Sequence, residues 1–225
     1  VIPLDATFPA SDGPEVLLAA FERLTAEAVA AVECGTCTLI LEAEDAGPER
    51  APIPSLVACG AVHQALSRHR LRSRVALVVV ADDVFDVHGF ATLLGYGADA
   101  ICPRLALATV AAEADRVDDG DLTSPEAQSR YQAAVEAGVL KILSKMGICT
   151  VDSYRGAQIF EVVGLAPEVV DTCFSGTPNV VGGIGWAALG EDVLVRHQAA
   201  WGEVADLESP GWFRVRKGGE PHSKD

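Results

Sequence analysis

The sequence is poor in aromatic residues and has a single methionine. Aromatic side chains make up 6% of its 225 residues, whereas 49% of the residues are hydrophobic and 22% are charged. This balance is typical of a globular protein and fits disordered, collagen-like or disulfide-dense proteins poorly. The core is therefore predicted to be aliphatic, and the chain is long enough to bury one large domain or two small ones.

Basic residues are scarce as well. The chain has 17 Lys and Arg residues against 32 Asp and Glu residues, which gives a formal net charge of −15. This charge has the wrong sign for a surface that binds the phosphate backbone of nucleic acids or an anionic membrane. We therefore expect neither a nucleic acid nor a membrane as a partner.

Long apolar runs are also missing. The longest run, residues 75–81, has the length of a strand and falls well short of the ~20 residues that a membrane-spanning helix needs. The sequence starts at Val1 without an initiator methionine, and a targeting signal's basic region and cleavage site are not recognisable there. These features predict a cytoplasmic location and a piece of a longer protein.

The six cysteines are spread through apolar segments, which predicts buried, reduced thiols rather than a disulfide framework. Cys34 and Cys37 form a C-x-x-C motif, but it ends a predicted helix and precedes a predicted strand, the reverse of a thioredoxin-type site. A disulfide oxidoreductase is therefore only the third hypothesis for the function. The histidines stand singly, and the sequence has no zinc-site spacing, phosphate-binding P-loop or G-x-S-x-G nucleophile motif.

Strand-like and helix-like segments alternate over the first half of the chain. Residues 74–81 (RVALVVVA) have the continuous β-branched character of a strand covered on both faces. The other predicted elements are helices at 14–32, 55–69, 84–94 and 105–114, strands at 38–42 and 98–102, and a loop at 43–54. Because parallel strands need crossover helices, this order predicts an α/β fold: a partial parallel sheet with covering helices, similar to an incomplete βα barrel.

The second half is predicted to be a helical connector. Acidic residues 116–121 indicate a linker, after which Ser124 is expected to cap a long helix that runs to about residue 145. Further helices are predicted at 154–163, 167–174 and 186–201, and residues 212–216 are predicted to begin a strand. The chain is accordingly divided into an α/β segment at 1–115, the connector at 116–205 and a final segment at 206–225.

The densest group of polar side chains lies in one loop-to-helix segment of this connector. Its members are Lys145, Ser153, Tyr154, Arg155 and Gln158, with Ser153 placed as the N-cap of a helix. A Lys and an Arg beside a helix N-terminus would hold a carboxylate or a phosphate. The same residues could equally anchor a domain junction, which the spacing favours. The sequence leaves both interpretations open.

Weaker signals occur elsewhere. The G-x-G-x-x-A pattern at residues 95–100 joins a helix to a strand, whereas a phosphate loop joins a strand to a helix. The same pattern at residues 183–188 precedes a helix but lacks a following βαβ unit, so a tight turn is favoured. Asp82 and Asp83 follow the C-terminal end of a predicted strand, where the sites of α/β folds cluster, and form a minor candidate site.

Several low-degeneracy motifs stand in a fixed order along the chain. They are TFPA (7–10), APIPSL (51–56), AVH (61–63), LLGYGADAICP (93–103), SKMGICTVDSYRGAQIFEVVGL (144–165), FSGTPNVVGGIG (174–185) and RKGGE (216–220). In this order they resemble the large subunit of glutamate synthase, at the C-terminal part of its central domain and the connection to its FMN-binding domain. The chain also departs from the family pattern, with Asp82 and Asp83 after a strand, Gly89 in place of a second histidine, and Arg104 in place of a tyrosine.

The resemblance implies a section of an enzyme that makes two glutamates from glutamine, 2-oxoglutarate and a reductant. This section would serve as scaffold and as part of the wall of an ammonia tunnel, and it would be inactive alone. The family's FMN, iron–sulfur cluster, glutaminase domain and flavin domain are expected in the parent enzyme as cofactors and partners, and no cofactor or catalytic residue is assigned to this chain. The alternative is a stand-alone, degenerate paralogue that acts as a non-catalytic interaction or regulatory module.

Overall fold

The computed structural model describes residues 1–116, 122–202 and Lys217. Within these residues the strands are β1 (Ile2–Asp5), β2 (Thr7–Pro9), β3 (Thr38–Glu42), β4 (Arg50–Pro52), β5 (Ala76–Val80), β6 (Ala100–Cys102), β7 (Gly164–Leu165) and β8 (Gly183–Ile184). The helices are α1 (Val16–Glu33), α2 (Ser55–Arg68), α3 (Val87–Gly95), α4 (Arg104–Arg116), α5 (Ser124–Met146), α6 (Val151–Tyr154), α7 (Pro167–Cys173) and α8 (Trp186–Trp201). Short 3-10 turns form at Ala10–Asp12 and Arg72–Arg74.

A four-stranded parallel sheet lies at the centre of the fold, with the strand order β1-β3-β5-β6. Its register aligns Leu4, Leu41, Val79 and Ile101 across the four strands. Each strand lies next to the parallel strand that precedes it in the chain, as in one part of a βα barrel, and the described strands do not close into a barrel. The predicted α/β class with a partial parallel sheet is therefore confirmed.

One face of the sheet carries the core. Leu39, Leu41, Leu77 and Val79 are buried there, and helix α1 packs on α2 and α2 on α3. Helix α1 buries an aliphatic and aromatic stripe with helical spacing, namely Leu17, Phe21, Leu24, Ala28 and Val32. The opposite face of β5 is half-buried in the described residues, so it is covered less completely than the sequence prediction of a strand covered on both faces implied.

The helices of the second half share this core. Gly60 of α2 approaches α7 so closely that a Cβ atom there would lie 2.4 Å from the carbonyl oxygen of Cys173. Helix α8 packs on α1, with the rings of Trp186 and Phe21 at a centroid distance of 4.9 Å. Helix α4 differs from these helices, because it buries no residue and packs mainly on α5.

Five short strands were absent from the sequence prediction, namely β1, β2, β4, β7 and β8. The β1 strand covers the first residues, and β2 pairs in antiparallel register with β4, which lies inside the stretch that was predicted as a loop at 43–54. The two-residue strands β7 and β8 pair in parallel with each other. The N-cap of α5 lies one residue before the predicted position. Thr123 rather than Ser124 is the N-cap and forms a capping box with Glu126.

The helix predicted at 154–163 is wrong. Helix α6 ends at Tyr154, because Gly156 and Gln158 adopt left-handed backbone conformations with φ of 71° and 53° that end a helix. The amide of Gly156 donates instead to the carbonyl of Gly95 at 2.9 Å. Two other predictions, most of the linker at 116–121 and the strand at 212–216, lie outside the described residues.

Candidate functional site

A charged cluster forms at the amino ends of β5 and β6, and Asp99 is at its centre. Asp99 immediately precedes β6, and its backbone amide donates to the carbonyl of Leu77 in β5 at 2.8 Å. Its carboxylate oxygen Oδ2 in turn accepts a hydrogen bond of 2.8 Å from the Leu77 amide. The carboxylate is thereby held at the edge of the sheet.

Two arginines approach this carboxylate from different parts of the chain. Arg72, in the 3-10 turn before β5, donates from Nη2 to Oδ2 of Asp99 at 2.7 Å. Arg155, just after α6, places Nη2 2.6 Å from Oδ1 of Asp99. Both guanidinium groups are mostly covered, with side-chain exposures of 14% and 20%. We refer to His63, Arg72, Asp99 and Arg155 as the Asp99 junction.

Opposing effects act on the pKa of the Asp99 carboxyl. Its partial burial disfavours the charged form, but the Leu77 amide and the guanidinium groups of Arg72 and Arg155 stabilise it. The pKa of Asp99 is therefore below its ordinary value. With two guanidinium groups and one carboxylate, the junction carries one net positive charge in this state.

Arg72 also orients His63. Its Nε donates to Nδ1 of His63 at 3.0 Å, while its Nη1 and Nη2 donate to the carbonyls of Val75 and Gly97, both at 2.6 Å. Because Nδ1 accepts this hydrogen bond, the ring proton of neutral His63 lies on Nε2. Burial, and then the adjacent positive charges, lower the pKa of His63 to about 4.

The structure separates the five predicted site residues. Lys145 lies exposed in the last turn of α5, and Ser153 is exposed and accepts a hydrogen bond from Oγ1 of Thr150, the true N-cap of α6. Tyr154 is 1% exposed. Arg155 reaches Asp99, and Gln158 packs against Gly176, where a Cβ atom would lie 2.4 Å from Nε2 of Gln158. Of the five, Arg155 therefore contributes directly to the Asp99 junction.

A small cavity of about 150 Å³ lies beside the junction, and Tyr154 lines it together with His63, Tyr96, Gln158, Phe160 and Thr177. The hydroxyl groups of Tyr96 and Thr177 are hydrogen-bonded at 2.9 Å. The hydroxyl of Tyr154 is buried and has no hydrogen-bond partner among the described residues. Burial raises the pKa of Tyr154, so this hydroxyl is protonated at neutral pH.

The minor candidate at the carboxyl ends of the strands is occupied by internal contacts. Nε of Arg104 donates to Oδ1 of Asp82 at 3.1 Å, and Nη2 of the same arginine contacts Oδ2. Oδ2 of Asp83 accepts a hydrogen bond of 2.9 Å from the amide of Ser55, the first residue of α2. These contacts connect the sheet to its helices, as expected for a structural role.

The cysteine predictions are partly wrong. Cys59 and Cys173 are buried, and burial raises the pKa of both thiols to about 12, but Cys34, Cys37, Cys102 and Cys149 are exposed. The C-x-x-C motif does lie between α1 and β3, as predicted. Among residues 1–116 and 122–202, no group of three or more His, Cys, Asp or Glu side chains could hold a metal ion.

His63, Arg72 and Asp99 were not singled out by the sequence. Asp99 and His63 do stand within two of the ordered motifs, LLGYGADAICP and AVH, whereas Arg72 belongs to an arginine-rich turn without a distinctive pattern. Their proximity depends on the parallel pairing of β5 and β6, which brings residues from three segments together at one end of the sheet.

Comparison with known proteins places the fold in a family. The profile of the glutamate synthase central domain matches residues 1–166. The chain belongs to the glutamate synthase central domain family. It is 40% identical over 229 residues to "Glutamate synthase [NADH]" of Schizosaccharomyces pombe, covering 99% of this chain and 11% of that protein.

Two bacterial relatives of this central domain chain are similar to the same extent. It is 43% identical to "Glutamate synthase [NADPH] large chain" of Bacillus subtilis and 42% identical to "Ferredoxin-dependent glutamate synthase 2" of a Synechocystis strain. These matches cover 88% and 94% of this chain but 13% and 14% of the relatives. The chain thus spans about a seventh of the length of these two proteins.

Among solved structures, a mutant flavocytochrome b2 with pyruvate bound is similar to 82% of this central domain chain, with a TM-score of 0.45 and 12% identity. This similarity is too distant to bear on the function. In the described part of the chain, the helices are too short or too polar to cross a membrane.

Proposed function

We propose that the chain is the central-domain section of a glutamate synthase large subunit, where it acts as scaffold. The parent enzyme would make two glutamates from glutamine, 2-oxoglutarate and a reductant, in the cytoplasm. Support comes from relatives named glutamate synthase, each of which matches nearly this whole chain with a small part of its own length. The glutaminase and flavin domains, with FMN and an iron–sulfur cluster, would lie in the rest of the polypeptide.

The Asp99 junction is the observation that supports the scaffold role. The ion pair of Arg155 with Asp99 attaches the SYRGAQIF segment to the amino ends of the strands. Ligand sites of open α/β sheets, in contrast, lie at the carboxyl ends of the strands. The carboxylate of Asp99 also neutralises part of the positive charge of the two arginines, and this charge is what a bound anion would need. The junction thus favours the anchor over the anion site for Arg155. It supports an anchor between the proposed α/β segment at 1–115 and the proposed connector at 116–205.

We further propose that this section forms part of the wall of an ammonia tunnel. The cavity beside the junction has a volume of about 150 Å³, which is large enough to hold several water-sized molecules. It is lined by hydroxyl, amide and imidazole groups. Such groups can donate to and accept from a small neutral molecule such as ammonia. The Asp99 junction would then position the SYRGAQIF segment that borders this cavity.

The scaffold proposal is tested by Asp99→Asn in the full-length polypeptide. Asn keeps an oxygen for the Leu77 amide but removes the negative charge between the two arginines, so we expect the free energy of unfolding to fall by about 2 kcal/mol. The kcat and KM of the fraction that stays folded should remain near the original values. Thermal unfolding measures the loss of stability. Glutamine-dependent glutamate formation, together with any release of free ammonia, measures the effect on activity.

Arg196→Ala is the matched control, because it removes an exposed ion pair with Asp192 and should change stability little. A large loss of kcat in Asp99→Asn with unchanged stability would contradict the anchor. Reading the DNA beyond Asp225 tests the section itself. A frame that continues into a flavin domain supports the proposal, and a stop codon there favours the stand-alone paralogue.

A further inference from the structure

A second, larger depression lies at the opposite side of β6 from β5. It has a volume of about 660 Å³ and is bounded by β6 on one side and by α5 on the other. We call it the β6 groove. Its walls are mainly apolar and include Phe90, Ile101, Val135, Val139, Leu140 and Leu143. Asp99 and Glu136 are the acidic residues among those that line it.

The groove follows the free edge of the sheet. In the described part of the chain β6 pairs with β5 alone, so its other edge has no strand partner there. Edge strands present unpaired backbone amides and carbonyls, and proteins normally cover or shield them. Few charged side chains shield this edge of β6, and its residues Ala100 and Cys102 are exposed.

The helical wall of the groove is apolar yet open. Leu140 of α5 is 65% exposed and Val151 of α6 is 39% exposed. The adjoining helix α4 buries no residue at all. Together with the edge strand, this makes a continuous apolar surface of the kind that marks an interaction site on a folded protein.

We propose that the β6 groove is the docking site of an extended apolar segment from the rest of the parent polypeptide, which adds to β6 as a fifth strand. The groove lies where the next strand of a consecutively ordered sheet would lie, with α5 covering it. The relatives are about seven times as long as this chain, so the remaining polypeptide supplies ample chain for such a strand. Strand addition would pair the edge of β6 and bury the apolar wall at once.

This docking site rests on the proposed function, in which the chain is a section of a longer glutamate synthase. Cys102 provides a natural probe of whether the β6 groove is filled. Cys102 and Cys34 are both exposed in this structure, and only the former lines the groove. In the full-length polypeptide, N-ethylmaleimide labelling followed by peptide mass spectrometry should modify Cys102 at least about 10-fold more slowly than Cys34. The backbone amides of residues 100–102 should also exchange slowly with deuterium.

Leu140→Lys tests the same surface by substitution. A lysine at an exposed helix position is harmless when the position faces water, but in a filled groove it should speed the labelling of Cys102 by about 10-fold. Val195→Lys, at a 60% exposed position of α8 outside the groove, is the matched control and should leave the labelling unchanged. If Leu140→Lys does not fold, labelling of the unmodified polypeptide still decides.

Each outcome separates this inference from the proposed function. Equal labelling of Cys102 and Cys34 in a polypeptide that makes glutamate would overturn the docking segment and leave the proposed function intact. Slow labelling of Cys102 with fast amide exchange at residues 100–102 would overturn the added strand. A polypeptide that makes no glutamate, whatever its labelling, would contradict the proposed function instead.

Discussion

Gly97 lies against the ring of His63 at the tightest point of the Asp99 junction. Its φ is 120°, a conformation that side-chain-bearing residues rarely adopt, and a Cβ atom there would lie 2.3 Å from Nδ1 of His63. The ring cannot retreat without breaking its hydrogen bond to Arg72. This single residue therefore decides how closely α2 can approach the loop before β6.

Replacement of Gly97 by alanine should be strongly destabilising. We expect the free energy of unfolding to fall by about 3 kcal/mol, from backbone strain and the clash together. In Gly147→Ala, by contrast, φ is also positive at 70° but no atom lies within 4 Å, so a loss of about 1 kcal/mol is expected. Urea denaturation of both variants measures the difference. Equal losses would show that the contact with His63 is not tight.

At the residue scale the sequence identified one half of the junction. Arg155 was picked out because basic and hydroxyl residues cluster around it in the sequence. Its partner Asp99 lies far away in the chain, inside a motif that also fits an ordinary turn. Pairings of this kind depend on which strand ends become neighbours, and local sequence patterns carry no information about that.

Helix α5 begins with a complete capping box. Thr123 and Glu126 exchange hydrogen bonds between side chains and backbone, and the side-chain carboxylate accepts from the Thr123 amide at 3.0 Å. These bonds satisfy amide groups that a helix N-terminus otherwise leaves without partners. The cap fixes where the apolar stripe of α5 starts, and hence which residues face α3 and the β6 groove.

Thr123→Ala should weaken this helix start. The expected loss is about 1 kcal/mol of unfolding free energy, the usual cost of removing a threonine N-cap. Thr109→Ala is the matched control, since Thr109 lies exposed within α4 and bonds only to the carbonyl of Leu105 in the preceding turn. Circular dichroism during thermal unfolding compares the two. A control as unstable as the cap variant would mean that the box contributes nothing.

At the element scale, long periodic segments were predictable and short ones were not. Helices α1 and α2 and the strands β3 and β5 lie close to their predicted positions, because each has a repeating apolar pattern or a β-branched run. The strands β1, β2 and β4 are three or four residues long and gain their order from pairing with distant strands. The false helix at 154–163 has helical apolar spacing, but Arg155 pairs with Asp99 beside β6 and the amide of Gly156 donates to the carbonyl of Gly95 at the end of α3.

The pH dependence of the whole molecule should reflect the Asp99 junction. The pKa of His63 is about 4 in the folded protein against an ordinary 6.5. Between these values the unfolded chain binds a proton that the folded chain does not, so stability decreases as the pH falls through this window. Above pH 6.5 this contribution is complete. The lowered pKa of Asp99 adds a further loss of stability only at lower pH.

His63→Gln should therefore flatten the pH dependence of the urea midpoint between pH 6.5 and pH 4. His69→Gln removes an exposed histidine at the end of α2 and serves as the control. An unchanged slope in His63→Gln would show that another group governs this part of the profile.

The sequence by itself determined the fold class, the aliphatic core and the family. Apolar residues at regular spacing specify strands and crossover helices, because each buried face needs a fixed side-chain period. The family could be recognised because its motifs stand in order along the linear chain. The tertiary structure alone decided the Asp99 junction, the end of α6 at Tyr154 and the open edge of β6. These features arise where segments far apart in the chain meet, and their energies come from contacts that do not exist until the sheet has assembled.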